Sequence, residues 1–208
     1  MKKYLKTLRS ACFFSIGMLL LCGLVYPLAL TTFSQVLFHD KANGSIIKAN
    51  GKAVGSSIVG QDFSDARLFK CRPSAYHYNT YTKQEKEEGT YAGIASGSNN
   101  YAPTNPELAK RVEKDIEAFL KANPKINKSE IPTDLLSASS SGLDPHISPA
   151  SASVQVSAIA QASGLSEAKL NAIIKSNTSE KLLGIFGETT VNVLGCNLEI
   201  AKLIGLIK

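Results

Sequence analysis

The feature that most constrains this chain is an apolar run from Ser10 to Phe38 that contains no Asp, Glu, Lys or Arg. A helix needs about 20 apolar residues to cross the hydrocarbon core of a bilayer, where every backbone amide must be paired within the segment. This run exceeds that minimum. Pro27 would kink or end a helix in water but is tolerated in a membrane helix. The sequence therefore predicts one transmembrane helix over residues 11–33.

Two other uses of such a run remain open. A cleaved signal peptide has an apolar core of about 7–15 residues, which is shorter, although Ala29-Leu30-Thr31 offers a cleavage site between small residues. A lipoprotein signal would use the cysteine of Leu19-Leu20-Leu21-Cys22, but the residue before that cysteine should be small. The length of the run favours an anchor that is retained.

The charges on either side of the run predict its orientation. Lys2, Lys3, Lys6 and Arg9 precede it without any acidic residue, and the first charged residue after it is Asp40. Short basic segments stay on the cytoplasmic side of a membrane. We therefore expect residues 1–10 to form a basic cytoplasmic tail and residues 34–208 to form one extracytoplasmic domain at the cell membrane.

The charge balance argues against a nucleic-acid partner. The chain has 23 basic and 17 acidic residues, and four of the basic ones lie in the tail. The rest is close to neutral and lacks the basic stripe that phosphate backbones require. The tail itself suits the anionic headgroups of a lipid bilayer.

The four cysteines do not indicate a disulfide framework. Cys12 and Cys22 lie in the apolar run, where a thiol packs as a small hydrophobic group, and Cys71 and Cys196 lie outside it. The outer two could pair in an oxidising compartment, but a single bridge is no framework, and free or buried thiols are favoured. No Cys or His spacing indicates zinc, and no bound metal is predicted.

The remaining chain mixes short strands and helices, which predicts a single α+β domain. Asn50-Gly51 is a strong hairpin turn, the aromatic stretch 67–81 predicts a packed loop, and the polar residues 83–89 predict a solvated insertion. Helices are expected from the cap Asn105 to residues 123–124, from the cap Ser148 to about residue 162, and after Ser166. Val191 and Val193 alternate as in a strand, and the C-terminus has helical spacing of its apolar residues: Leu194, Leu198, Ala201 and Ile204.

Few residues are candidates for chemistry. The serines of residues 139–141 suggest a hydrolase, but Gly-x-Ser-x-Gly is absent, and a structural loop is the simpler interpretation. Asp144-Pro145-His146 offers too few ligands for a cation, since Asp-Pro is a common turn. His39 and His77 are expected at the surface. Gln155 is expected to face solvent, and Asn192 and Asn197 are expected to be buried amides that satisfy backbone groups.

Several motifs resemble one family. They are Gly60-Gln61-x-Phe63, Phe69 with Arg72-Pro73-Ser74-Ala75, Pro103-Thr104-Asn105-Pro106, Pro132-x-Asp134-Leu135, Ser141-Gly142-Leu143-Asp144-Pro145-His146-Ile147-Ser148, Gln155-Val156, Gly187-Glu188, and Val191-Asn192-Val193-Leu194-x-x-Asn197-Leu198. Over its whole length the chain resembles the C subunit of Kdp-type potassium-transporting ATPases.

The resemblance implies an accessory, non-catalytic subunit of a potassium pump. Its partners would be a potassium-channel-like subunit and a P-type subunit that hydrolyses ATP, with potassium as the transported ion. One view of the family is a catalytic chaperone that raises ATP affinity, with Gln155 tied to the nucleotide; another is a role at the external potassium entrance. The resemblance marks the following residues as partner or structural motif: Gln61, Arg72, Pro73, Ser74, Asn105, Asp134, Ser141, Gly142, Asp144, Pro145, His146, Ser148, Asn192 and Asn197.

The chain also departs from the family pattern. The pattern has basic residues where this chain has Ala158, Gln161 and Ser163, an arginine at Thr190, and Gly-Gly at Gly97-Ser98. The missing cations would otherwise pair with phosphate or with acidic surfaces. Because ATP is cytoplasmic and the domain is expected outside, membership of the complex is favoured over direct ATP contact. A membrane-anchored extracytoplasmic hydrolase and a periplasmic adhesion module remain the alternatives.

Overall fold

The computed structural model describes residues 2–90 and 93–207, so Met1 and Lys208 of the predicted segments lie outside the described residues. The chain divides into two compact units, with the boundary between Ile46 and Ile47. The first unit is mainly helical, and the second mixes helices with short strands. The expectation of a mixed α+β chain that begins with one apolar helix is therefore confirmed.

The first unit contains a helical stretch that is interrupted by a wider turn. Helix α1 (Lys2–Leu20) leads into a π-helical turn (Leu21–Val25), followed by α2 (Tyr26–Leu37) and the short α3 (His39–Ala42). The Tyr26 N–H donates to Leu21 O, and this longer spacing accommodates Pro27, whose ring would clash with the carbonyl four residues before it. The stretch Lys3–Leu37 has the length and hydropathy of a membrane span, and the predicted segment 11–33 lies within it.

The predicted hairpin begins at the boundary between the two units of the chain. Strands β1 (Ile46–Ala49) and β2 (Lys52–Ser56) are joined by Asn50 and Gly51. Both turn residues have positive φ, 52° and 73°, as a two-residue type I′ turn requires. The aromatic loop that follows is packed as predicted, with Phe69 only 1% exposed.

The polar segment that was predicted to be a solvated insertion is exposed, but it also contains a helix. Helix α4 (Lys83–Glu87) begins with a capping box between Thr82 and Glu85. The next helix, α5 (Pro106–Ala122), begins where the sequence predicts, with Asn105 as its cap. Its apolar face covers the smaller of two apolar clusters, which is built around Ile116, Ile131 and Leu135.

The helix predicted from Ser148 to residue 162 is wrong in one respect, because two helices occupy this stretch. Helix α6 (Pro149–Ser153) ends before Gln155, and α7 (Val156–Ser163) ends at Gly164, whose φ is 75°. Helix α8 (Glu167–Ser176) follows, with Ser166 as its cap.

A three-stranded antiparallel sheet closes the domain. It has the order β3-β5-β4, formed by β3 (His146–Ile147), β5 (Thr190–Asn192) and β4 (Thr178–Ser179), with Ile147 and Thr178 both opposite Val191. Val193 was expected in the strand but begins the last helix, α9 (Val193–Leu203). The larger apolar cluster lies among this sheet and its neighbouring helices: Phe69, Ile147, Ala152, Val156, Ile159, Leu170, Ile173, Ile174, Val191, Val193, Cys196 and Ile200.

Candidate functional site

Most residues of the motifs meet in one hydrogen-bonded region beside the three-stranded sheet. At its centre the Arg72 guanidinium contacts Asp144, with Nη1 3.1 Å from Oδ2, and its Nη2 donates to the carbonyl oxygen of Ser137 at 3.3 Å. The other carboxylate oxygen, Asp144 Oδ1, accepts the His146 backbone N–H at 3.0 Å and lies 3.6 Å from His146 Nδ1. These contacts, that of His146 first and that of Arg72 after it, lower the pKa of Asp144, while burial opposes them. Asp144 therefore connects the loop that carries Arg72 to the start of strand β3 at His146.

The serine-rich loop is held by backbone contacts from two directions. Ser74 Oγ donates to the Gly142 carbonyl oxygen at 2.7 Å, and the Ser141 carbonyl oxygen accepts the Gly97 N–H at 2.7 Å. The Pro73 carbonyl oxygen accepts the N–H of Ser139 at 3.4 Å. Gly142 has a φ of 65°, and a Cβ at that position would lie 2.6 Å from the Gly97 carbonyl oxygen. Glycine is required there both by conformation and by space.

Asp134 organises the start of α6. Its Oδ2 accepts the Ser148 N–H at 2.8 Å, and its Oδ1 accepts the hydroxyls of Ser148 and Ser151 at 3.1 and 2.5 Å. Ser148 Oγ in turn accepts the Ser151 N–H at 3.0 Å, which caps the helix. The Pro145 carbonyl oxygen accepts the N–H of Val193, so the same loop is tied to the start of α9.

Gln155 and Asn197 hold two consecutive residues of the aromatic loop, and we call this pair the amide clamp. The Gln155 side chain accepts the Lys70 N–H at 2.8 Å and donates to the Lys70 carbonyl oxygen at 3.3 Å. Asn197 makes the same pair of bonds with Phe69, at 2.8 and 2.9 Å. The expectation that Asn197 is a buried amide is confirmed. The expectation that Gln155 faces solvent is wrong, since it is 3% exposed and its amide also donates to the Ser151 carbonyl oxygen.

The amide clamp bears on the nucleotide role that the resemblance gives Gln155. An open groove of about 330 Å³ runs past this residue, and it is lined also by Lys70, Lys121, Ala158 and Gln161. Two of the positions where the family pattern is basic therefore lie on this groove without a charge. Both polar atoms of the Gln155 amide are already bonded inside the protein. The Gln155 amide therefore has no free polar atom for direct contact with ATP.

Three further amides of the motifs bond to backbone groups. Gln61 Nε2 donates to the Val54 carbonyl oxygen at 2.7 Å, in the hairpin. Asn192 accepts the Gly195 N–H at 2.9 Å, which caps α9, and donates to the Ser57 carbonyl oxygen at 2.8 Å. Asn105 accepts the Glu107 N–H at 2.9 Å at the start of α5. The expectation that Asn192 satisfies backbone groups is confirmed, although the residue is half-buried and not buried.

The remaining departures from the family pattern lie at less central positions. Ser163 is half-buried at the end of α7, and Thr190 pairs with Ser179 in the sheet. The N–H of Gly97 is used in the serine-loop contact described above, and Ser98 Oγ donates to Asn100 Oδ1 at 2.7 Å.

Two residues of this region were not predicted from the sequence. The Tyr78 hydroxyl donates to the Arg72 carbonyl oxygen at 2.7 Å, and Tyr78 stands in a turn of three residues with positive φ, His77–Asn79. Lys70 Nζ donates to the carbonyl oxygens of Phe63 and Asp65, and burial lowers its pKa. The aromatic density of the loop was the signal for Tyr78; nothing in the sequence marked Lys70.

The contacts of the serines and histidines do not resemble a hydrolase site. Ser139 Oγ accepts the Gly142 N–H, and Ser141 Oγ accepts the Leu143 N–H. The His146 ring lies beside Asp144 and 3.5 Å from Asn192 Nδ2. Among residues 2–90 and 93–207, no group of three or more His, Cys, Asp or Glu side chains could hold a metal ion. His39 and His77 are exposed, as expected.

The cysteines agree with the preference for free thiols. All four are unpaired, and Cys196 is buried. Burial raises the pKa of Cys71 and that of Cys196, each to about 12. Neither thiol has the thiolate character that a reactive cysteine needs.

These features define a class of protein, namely an α+β domain that carries one candidate membrane helix and uses its motif residues to connect its own loops. A family model described as KdpC, K+-transporting ATPase, c chain, matches residues 8–202. The potassium-transporting ATPase KdpC subunit of Clostridium kluyveri is 58% identical over 99% of this chain and 98% of its own length. That of Clostridioides difficile is 59% identical over 98% and 100%, and that of a Bacillus cereus strain is 48% identical over 89% and 90%. The chain belongs to the KdpC family and is a subunit of a potassium-transporting ATPase.

Proposed function

We propose that this chain is a non-catalytic accessory subunit of an ATP-driven potassium-uptake pump. The match of the family model to residues 8–202 carries the proposal. Its partners are the channel-like subunit that conducts potassium and the P-type subunit that binds and hydrolyses ATP. In this arrangement, potassium is the cargo of the complex, and ATP is the ligand of a partner.

The proposal places the helical stretch in the cell membrane, the basic tail in the cytoplasm and residues 34–208 outside. It rests on the 35-residue helical stretch Lys3–Leu37, which has the length and hydropathy of a membrane span, and on the basic residues at its N-terminal end, which favour retention on the cytoplasmic side. In that position the domain shares a compartment with external potassium and is separated from ATP.

The subunit acts by stabilising the complex and assisting the external potassium entrance, rather than by touching nucleotide. The amide clamp supports this part of the proposal, because the family's nucleotide-linked glutamine is here bonded to the backbone of Lys70. The uncharged Ala158 and Gln161 support it as well, because two cations that the family pattern offers to phosphate are missing from the groove. Lys70 and Lys121 also line the groove, but Lys70 Nζ already donates to the carbonyl oxygens of Phe63 and Asp65.

The test is to purify the pump with and without this chain and to measure ATP hydrolysis against potassium and against ATP. We expect the channel-like and P-type subunits to co-purify with the tagged chain, and its omission to change the potassium concentration for half-maximal activity. A shift in the ATP dependence alone would favour the chaperone role. A chain that co-purifies with no ATPase would favour an adhesion module, and labelling by a serine-reactive probe would favour a hydrolase.

A further inference from the structure

A small apolar projection stands out from the domain between strands β4 and β5. It consists of residues 180–189, which we call the finger. Four large side chains at its tip are strongly exposed: Leu182 69%, Leu183 81%, Ile185 75% and Phe186 62%. None of them belongs to either apolar cluster of the domain. An apolar patch of this kind on a folded domain usually marks a contact site.

The backbone of the finger is held by hydrogen bonds within the finger itself. Leu182 and Phe186 exchange backbone hydrogen bonds, at 2.8 and 3.0 Å. The N–H groups of Gly184 and Ile185 donate to the carbonyl oxygens of Lys181 and Leu182. Four of the five N–H groups between residues 182 and 186 are therefore satisfied within the finger. Moving the tip out of water leaves few backbone donors without a partner.

The turn at the tip has an unfavourable residue for its conformation. Leu183 has a φ of 55° and Gly184 a φ of 73°. Asparagine or glycine suits the first of these positions, and a leucine there is strained. A strained and 81% exposed leucine contributes little to the isolated domain, which suggests that its side chain serves a contact.

The charges around the finger disfavour a lipid surface. Lys181 forms an ion pair with Glu188 at 3.5 Å, and Glu180 accepts a hydrogen bond from Thr189. The base of the finger thus carries two carboxylates and one ammonium group. Anionic headgroups attract clusters of Lys and Arg and repel such a collar.

The size of the tip disfavours a freely diffusing partner or a second copy of the chain. An aromatic side chain has about 150–250 Å² to bury, and the three aliphatic side chains are smaller, so the exposed surface of the tip is on the order of 500 Å². A stable interface buries about 800 Å² on each partner. A contact this small is effective only with a partner that is already held nearby at a high effective concentration.

We propose that the finger is an anchor that inserts into an apolar pocket, with a cationic rim, on another subunit of the same potassium pump. This inference rests on the proposed function, because that assembly supplies a partner fixed in the same membrane. Phe186 and Leu183 fill the pocket, and Glu180 and Glu188 face its rim. A few such residues dominate the binding energy of an interface.

The experiment is co-purification of the pump with the full-length chain in mild detergent, followed by dilution and measurement of how fast the partners dissociate. The double variant Leu183→Asn, Phe186→Ser should dissociate at least about tenfold faster, which is the effect of losing an interface anchor. Asparagine suits the positive φ at residue 183, so the finger should keep its fold. Ile58→Ser removes a similarly exposed apolar side chain, 59% exposed, and should leave dissociation unchanged.

A photo-crosslinking residue at position 186 identifies the occupant. An adduct with a pump subunit supports the proposal, while an adduct only with lipid or with a second copy overturns it. Unchanged dissociation of the double variant, in a complex that forms with the wild-type chain, also overturns it and leaves the proposed function standing. If the wild-type chain binds no pump subunit, the proposed function fails and this inference fails with it.

Discussion

Single polar side chains connect loops in this domain that longer strands would connect elsewhere. The strands of its three-stranded sheet are only two or three residues long, so many backbone groups have no ladder partner. Buried backbone groups need partners, and Gln155, Asn197, Asp134 and Ser74 supply them. The family motifs mark these residues because the loops depend on them.

Gln155→Ala should lower the stability of the domain and change potassium or ATP dependence only through that loss. It leaves the partly buried N–H and carbonyl of Lys70, and the buried carbonyl of Ser151, without this side-chain partner, which costs about 1–3 kcal/mol. The measurement is thermal unfolding of the full chain in detergent. Gln161→Ala is the matched control. Gln161 is exposed on α7, and its replacement should leave the melting temperature unchanged. Equal melting temperatures for the two variants would contradict the amide clamp.

Asp144→Asn should reduce stability at neutral pH, and the difference from wild type should shrink in acid. The pKa of Asp144 is lowered in the folded state by His146 and Arg72, so its contribution is present above the ordinary pKa, about 3.9, and is lost as the pH falls through the folded-state pKa. The measurement is the free energy of unfolding in urea, for wild type and variant, at pH values from about 6 to 3, which span the ordinary pKa of an aspartate. If the difference in stability between the two proteins stays constant across the series, the charge of the Asp144 carboxylate does not contribute to stability.

The roles of residues were harder to predict than their presence in motifs. Gln155 and Asn197 reach loop residues 85 and 128 positions away. No local pattern reports contacts of that separation, and an amide among alanines and serines suits a solvated helix as well as a buried one. Asn197 was placed correctly because apolar residues surround it in the sequence. Gln155 was misplaced because its neighbours are small.

At the scale of elements, local chemistry determined most boundaries. Asn50-Gly51, Asn105, Ser148 and Ser166 each stand where the sequence predicts a turn or a cap. The break between α6 and α7 was not predictable in this way. It falls at Gln155, whose side chain bonds both to Ser151 in α6 and to Lys70 in a distant loop. Tertiary contacts overrode the helical pattern there.

Asn105→Ala should destabilise the domain by about 0.5–2 kcal/mol, the usual cost of losing a helix cap. The Asn105 side chain accepts the N–H of Glu107 at the start of α5, and alanine cannot replace it. Thermal unfolding compares the alanine variant with Asn105→Ser, which can cap the helix and should restore stability. If serine fails to restore a stability that alanine lowers, the role of this motif residue is not capping.

At the scale of the whole molecule, the chain consists of an apolar helical unit and an α+β unit. The sequence predicted both, because the absence of charge over a long run and the mixed spacing of the remainder are properties of composition. It did not predict the finger, whose sequence resembles an ordinary apolar strand segment. Exposure of Leu183 and its neighbours follows from the turn at Gly184, which directs them away from both apolar clusters.

The orientation of the chain in the membrane should depend on the basic tail. Short positive segments resist translocation, so a phosphatase that is active only outside the cytoplasm should be active when fused after Lys208. Replacing Lys3, Lys6 and Arg9 by glutamate should reduce that activity, whereas Lys48→Glu with Lys52→Glu, in the hairpin, should not. If instead a fused reporter that functions only in the cytoplasm were active, the orientation would be the reverse of the one proposed. The domain would then share a compartment with ATP, and an indirect route from the chain to the nucleotide would replace the external role.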